Sequence, residues 1–191
     1  MVLSRMFLLY ALLLLLSSCG YNKMVQLQED VSKQWANVES AYQRRADLIP
    51  NLVNTVKGVA EFEQQTLNAV IEARAKATSI TVDPDKLTPE SIQQFQQAQD
   101  ALSAALSRLL VTVERYPELK ATQNFLELQA QLEGTENRIN TERRKYNEAV
   151  QAYNAYIRQI PQVAYAGWLG FEKKGYFEAQ PGAENAPKVA F

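Results

Sequence analysis

The chain has 191 residues, 20 Lys and Arg against 21 Asp and Glu, and a net charge of −1. The length suits one domain, and the charge balance argues against a nucleic-acid binder, which needs a basic excess. There is no histidine, so the commonest general base and metal ligand is missing; the one cysteine, Cys19, forms neither an intrachain disulfide nor a thiolate metal cluster.

Residues 1–18 read as a lipoprotein signal peptide. Arg5 and the terminal amine make a basic start, and Met6 to Leu16 is an unbroken apolar run. Such a run has the size of a signal-peptide core and is too short to cross ~30 Å of hydrocarbon as a helix. Leu16-Ser17-Ser18-Cys19 resembles a bacterial lipobox. That resemblance implies lipidation of the Cys19 sulfur, cleavage before Cys19 and acylation of the new amine. The alternatives are an ordinary secretory signal or an uncleaved anchor from about Val2 to Val25. Acyl chains anchor at ~0.8 kcal/mol per buried CH₂. Gly20 after the cysteine resembles no inner-membrane retention signal, so the expected address is the bacterial envelope, with the bundle outside the cytoplasm and the outer membrane favoured where there is one.

A first helix is expected over Tyr21–Leu48, with Met24, Leu27, Val31, Trp35, Val38, Tyr42 and Ile49 in a stripe of three- and four-residue steps. Arg45 falls in that stripe, where an arginine must be paired or snorkel. Pro50 either kinks one long helix or, as favoured here, opens a second helix after a tight turn. That second helix runs to about Thr78, and Gly58 weakens it. Ser79 to Leu87 is a loop with Asp83-Pro84-Asp85 as turn chemistry. Thr88 caps the third helix with Pro89 at its first position. Ile92, Phe95, Gln99, Leu102, Leu106, Leu109, Val113 and Tyr116 follow in heptad spacing. Pro117 ends it. The fourth helix fills Leu119–Ile160, a rod of roughly 60 Å at 1.5 Å per residue. Four long amphipathic helices with short connections predict an all-α, antiparallel four-helix bundle over 19–160. The tail, 161–191, is rich in aromatic residues and glycine and is expected to fold back onto the bundle.

Arg44-Arg45-Ala46-Asp47-Leu48-Ile49-Pro50-Asn51-Leu52-Val53, Glu114-Arg115-Tyr116-Pro117-Glu118-Leu119-Lys120-Ala121 and Leu132-Glu133-Gly134-Thr135-Glu136-Asn137-Arg138-Ile139 resemble signatures of the LemA family. So do Tyr146-Asn147, Tyr153-Asn154 and the end Pro187 to Phe191. The resemblance implies a membrane-anchored helical bundle with an exported body, and it brings no catalytic residues. Many family members carry a longer N-terminal transmembrane helix where this chain has a lipobox.

The resemblance marks a polar cluster of Arg44, Arg45, Asp47, Asn51, Glu133, Glu136 and Asn137. Its simplest reading is a polar layer in which Glu136 or Asp47 pairs with Arg44 or Arg45, fixing helix register more than adding stability. A di-iron site would need Glu-x-x-His motifs, and there is no histidine. A glycosidase pair of carboxylates would need a sugar cleft that a plain bundle lacks. No catalytic residue, metal or cofactor is expected. Arg143-Arg144-Lys145 and Lys173-Lys174 read as solvated faces. Trp168, Phe171 and Phe191 are candidate partner-binding positions in the tail. The expected function is a membrane-anchored, non-catalytic interaction or scaffold module, with the membrane held through acylated Cys19. Its partner is expected to be an envelope protein, by resemblance a membrane protease or quality-control protein. The alternative is a carrier of lipid or a small apolar ligand in the bundle core. Heptads this regular also allow a homo-oligomer.

Overall fold

A computed structural model of the protein describes residues 2–58 and 62–178, with side chains from Gly20 onward. Among the described residues the chain is all-helical. Helix α1 runs Val2–Lys57, α2 Gln64–Ser79, α3 Pro89–Val113, α4 Pro117–Lys120 and α5 Gln123–Ile157. A 3₁₀ turn at Gln162–Ala164 follows, and 171–178 lies along the helices without regular structure of its own.

The turn expected at Pro50 is not formed. Pro50 lies inside α1, and the chain reverses between Lys57 and Gln64. The apolar stripe explains this: Ile49, Leu52, Val53 and Val56 are buried and continue the phase of Val31, Trp35, Val38 and Tyr42 past the proline. A turn at Pro50 would have broken that phase. Proline withholds the N–H that the carbonyl four residues earlier needs. That carbonyl, of Ala46, instead accepts from Arg74 Nε of α2 at 2.8 Å.

The third helix forms as expected. Thr88 accepts from the Ser91 N–H at 3.2 Å with Pro89 next in line, and Ile92, Phe95, Gln99, Leu102, Leu106, Leu109 and Val113 are all buried. The fourth helix does not run unbroken from Leu119 to Ile160. It stops at Lys120, and the Thr122 side chain caps a new start by accepting from the Phe125 N–H. It ends at Ile157. Ile160, placed on the stripe by its spacing, is 89% exposed; it precedes Pro161, which disfavours helical backbone at that position.

The contacts order the helices. Trp35 of α1 meets Phe95 of α3 and Tyr146 of α5, with ring centroids 5.1 and 5.7 Å apart. Ten residues on, Arg45 meets Ser103 of α3 and Glu136 of α5. Thus α3 advances with α1, while α5 runs against it. The core has two parts: one around Trp35, Phe95, Tyr146 and Phe177, the other around Ile49, Leu67, Leu109 and Phe125. Arg45 lies between them along α1.

Candidate functional site

Arg45 is the centre of the buried polar structure. Only 2% of it is exposed. Nη1 donates to Ser103 Oγ at 2.7 Å and to Glu136 Oε2 at 3.0 Å. Nη2 donates to Gln99 Oε1 at 2.7 Å and to the Gln99 carbonyl at 3.1 Å. The guanidinium also stands 5.1 Å from the centre of the Tyr42 ring. Gln99 passes the chain of bonds on, since its Nε2 donates to the Ala77 carbonyl at the end of α2. One side chain of α1 therefore fixes α3 and α5 directly and α2 through Gln99. A planar fork of donors suits this task, and a lysine would not reproduce it. Nε of Arg45 has no partner among the described residues. Burial pushes the Tyr42 hydroxyl up to about 12, against the opposing pull of Arg143 and Arg45.

Of the sequence-marked cluster, the fold brings together Arg45 and Glu136. Arg44, Asp47, Asn51, Glu133 and Asn137 lie on the surface. Asp47 accepts from Gln43, and Glu133 accepts from Gln129. Glu133 and Glu136 thus serve separate partners. Among the described residues no group of three His, Cys, Asp or Glu side chains is placed to hold a metal. Arg44 lines an open groove of about 430 Å³ between α1 and α5, with Asn37, Ser40, Gln131, Gly134 and Arg138. Among the described residues a Cβ at Gly134 would meet nothing within 4 Å, so none of their side chains requires glycine there.

The tail is held through its backbone. Asn154 donates to the Lys174 carbonyl and accepts from the Lys174 N–H, both at 2.9 Å. Asn147 does the same for Phe177, at 2.8 and 2.9 Å, and Gln96 for Glu178, both at 3.0 Å. Tyr146 and Tyr153 donate to the carbonyls of Gly175 and Glu172. The two Tyr-Asn doublets, one heptad apart on α5, thus act as one clamp. Their spacing was visible in the sequence, but their target was not. Gly175 is required: a Cβ there would lie 2.7 Å from Pro89 Cα and 2.8 Å from the Thr88 carbonyl. Phe177 packs on Trp35, Phe95 and Tyr146, with Arg143 over its ring at 4.8 Å.

One residue of each basic run departs from the expected solvated face. Lys174 is buried and its Nζ donates to the Asp85 carbonyl at 2.7 Å; burial lowers its pKa, against the pull of Asp85, Glu172 and Asp83. Arg143 donates to the Glu178 carbonyl. Of the tail positions singled out from sequence, Phe171 is buried and Trp168 is 89% exposed. Phe191 and the Cys19 side chain lie outside what the structure describes. No helix among the described residues is long and apolar enough to cross a membrane.

Comparison with known proteins gives consistent results. Magnetosome protein MamQ 2 of Paramagnetospirillum magneticum is 26% identical over 186 residues, covering 86% of this chain and 67% of that protein. Magnetosome protein MamQ of Magnetospirillum gryphiswaldense has the same identity and coverage. Protein LemA of Metamycoplasma hominis is 25% identical over 136 residues, covering 71% of this chain and 58% of that protein. The LemA family model matches residues 34–191, a span that takes in Arg45, its partners on α3 and α5, and both Tyr-Asn doublets. The chain belongs to the LemA family.

Proposed function

We propose that this protein is a membrane-anchored, non-catalytic interaction module of the bacterial envelope. In this reading the helices form an antiparallel four-helix bundle, and the N-terminal segment tethers it, with the lipid on Cys19. The contacts of α1 with α3 and α5 fit that arrangement.

The observation that carries the reading is the groove between α1 and α5. A glycine inside a helix costs about 1 kcal/mol relative to alanine, and among the described residues Gly134 has no neighbour that demands it. The bare backbone leaves room for a group from outside, flanked by the Arg44 and Arg138 side chains. Arg138 has Glu142 as an ion-pair partner at 3.3 Å. The groove therefore suits a helix or loop that brings an acidic side chain close to α5. An envelope protein, such as a membrane protease or a quality-control protein, is the partner class this surface would serve. The interior offers less to a carrier: both parts of the core are filled with side chains.

Photocrosslinking tests it. A photoreactive residue at Gln131, in cells carrying the full chain, is expected to capture one envelope protein, and Gly134→Leu or Arg44→Glu is expected to abolish capture. Crosslinks that reach only the chain's own helices, or that survive both substitutions, would remove the groove as an interaction surface.

A further inference from the structure

Between α5 and the clamped tail the chain makes an elbow, residues 158–170. Its inner side is packed: Gln162 and Ala166 are buried. It lies against the start of the described side chains, because a Cβ on Gly20 would sit 2.5 Å from the Tyr165 hydroxyl and 3.6 Å from Gln162 Nε2. Its outer side is apolar and uncovered among the described residues. Ile160 and Trp168 are each 89% exposed, and Val163 is 55% exposed. Leu169 and Tyr21 are also exposed, and Tyr21 meets Phe171 edge-on at 5.6 Å. Lys23, Arg158 and Lys173 are exposed around this end. A concentration of exposed apolar side chains marks an interaction surface.

The position of the elbow identifies its partner. The apolar run Met6 to Leu16 precedes Gly20 on the same helix. Four residues at 1.5 Å per residue place Gly20 about 6 Å beyond Leu16. The headgroup layer on each side of a bilayer is about 5–8 Å deep. An elbow packed on Gly20 therefore stands at headgroup level, where a tryptophan keeps its ring in an apolar layer and its N–H in a wet one. We propose that the elbow is a membrane-seating surface, in which Ile160, Val163, Trp168 and Leu169 enter the interfacial layer of the phospholipid bilayer that holds the N-terminal segment. This rests on the tether, whether the lipid is on Cys19 or the apolar run stays in place. It adds a second point of contact, which fixes the tilt of the helices. The Arg44 groove, 24 residues further along α1, then stands about 36 Å above the surface.

The chain has two tryptophans, Trp35 and Trp168. Trp35 is fully buried, so a Trp168→Phe chain supplies its baseline. The full chain is reconstituted into phosphatidylcholine vesicles with a fifth of phosphatidylglycerol, carrying a nitroxide quencher either near the headgroup or deep in the acyl region. The Trp168 share of the emission is expected to be quenched at least twofold more by the shallow label than by the deep one, and to be shielded from aqueous iodide. A chain that floats with the vesicles while Trp168 stays open to iodide and insensitive to both lipid labels overturns the elbow but leaves the tether. Trp168 shielded from iodide and from both lipid labels overturns it in favour of a protein cover. A chain that does not float with the vesicles overturns tether and elbow together.

Discussion

Arg74 donates its Nε proton to the carbonyl of Ala46 at 2.8 Å, the carbonyl that Pro50 leaves without an intrahelical donor. The proline and the arginine are thereby coupled: α1 tolerates a proline because α2 supplies the missing bond. Arg74→Met should cost about 1–3 kcal/mol, the penalty of a buried carbonyl left unpaired. In a Pro50→Ala background the new backbone N–H at that position can take over, so the same substitution should cost under about 1 kcal/mol. A double-mutant cycle by urea denaturation measures the difference; equal costs in both backgrounds would show that the two residues act independently.

Arg45 and Glu136 form an ion pair with unequal partners. Arg45 is buried and has four acceptor contacts, of which Glu136 provides one. The Glu136 side chain is 45% exposed. Glu136→Gln should therefore cost under about 1 kcal/mol, as for pairs open to solvent. Arg45→Met removes the donor fork and strands the Gln99 and Ser103 oxygens, and should cost about 3–5 kcal/mol. Thermal melting of both variants tests the asymmetry.

The tail clamp predicts a local effect. Asn154→Ala removes both bonds to Lys174, and Gly175→Ala forces its backbone away from Pro89. Either should raise amide exchange at Lys174 and Phe177 by at least tenfold, while exchange around Leu109 and Phe125, in the other part of the core, stays unchanged. Gly134→Ala, with open space around it, should stabilise the protein by about 1 kcal/mol.

Alkaline pH should unfold the protein through its tyrosines. Burial holds the hydroxyls of Tyr42 and Tyr153 up to about 12, from 10.0, and raises Tyr146 as well. In the unfolded chain these groups lose their protons near pH 10. Their contribution is therefore complete below pH 10 and is lost as pH rises through about 12, on the order of 2–3 kcal/mol for Tyr42 and less for Tyr153, whose hydroxyl lies in a hydrogen bond that is only partly buried. Lys174 acts in the opposite sense below 10.5, because its folded pKa is lowered. Denaturation curves between pH 9 and 12 should show falling stability, and Tyr153→Phe should flatten the fall.

The amino-acid sequence by itself determined the helical class, the stripe on each helix, the Thr88 cap and the family, because each is written in local spacing: three- and four-residue apolar steps, a hydroxyl before a proline, and motif order. It also marked Arg45 as anomalous, a cation on an apolar stripe. Tertiary structure decided the rest. That Pro50 stays inside α1 required its stripe to find α2 and α5, and the Ala46 carbonyl to find a donor in Arg74, 24 residues beyond the proline. Whether Thr122 interrupts the last helix depended on its hydroxyl taking the Phe125 N–H. Which of seven marked polar residues would meet was settled by the faces that α1 and α5 turn to each other and to α3, which bury Arg45 and leave Arg44 in the open. The Tyr-Asn doublets were legible as a repeat, but their purpose lay in a backbone segment about 20–30 residues further on. A hydrogen bond to a distant main chain imposes no side-chain pattern on the residues that receive it. Gly175 shows the same limit: the close approach of Pro89 that requires it exists only once the tail is in place.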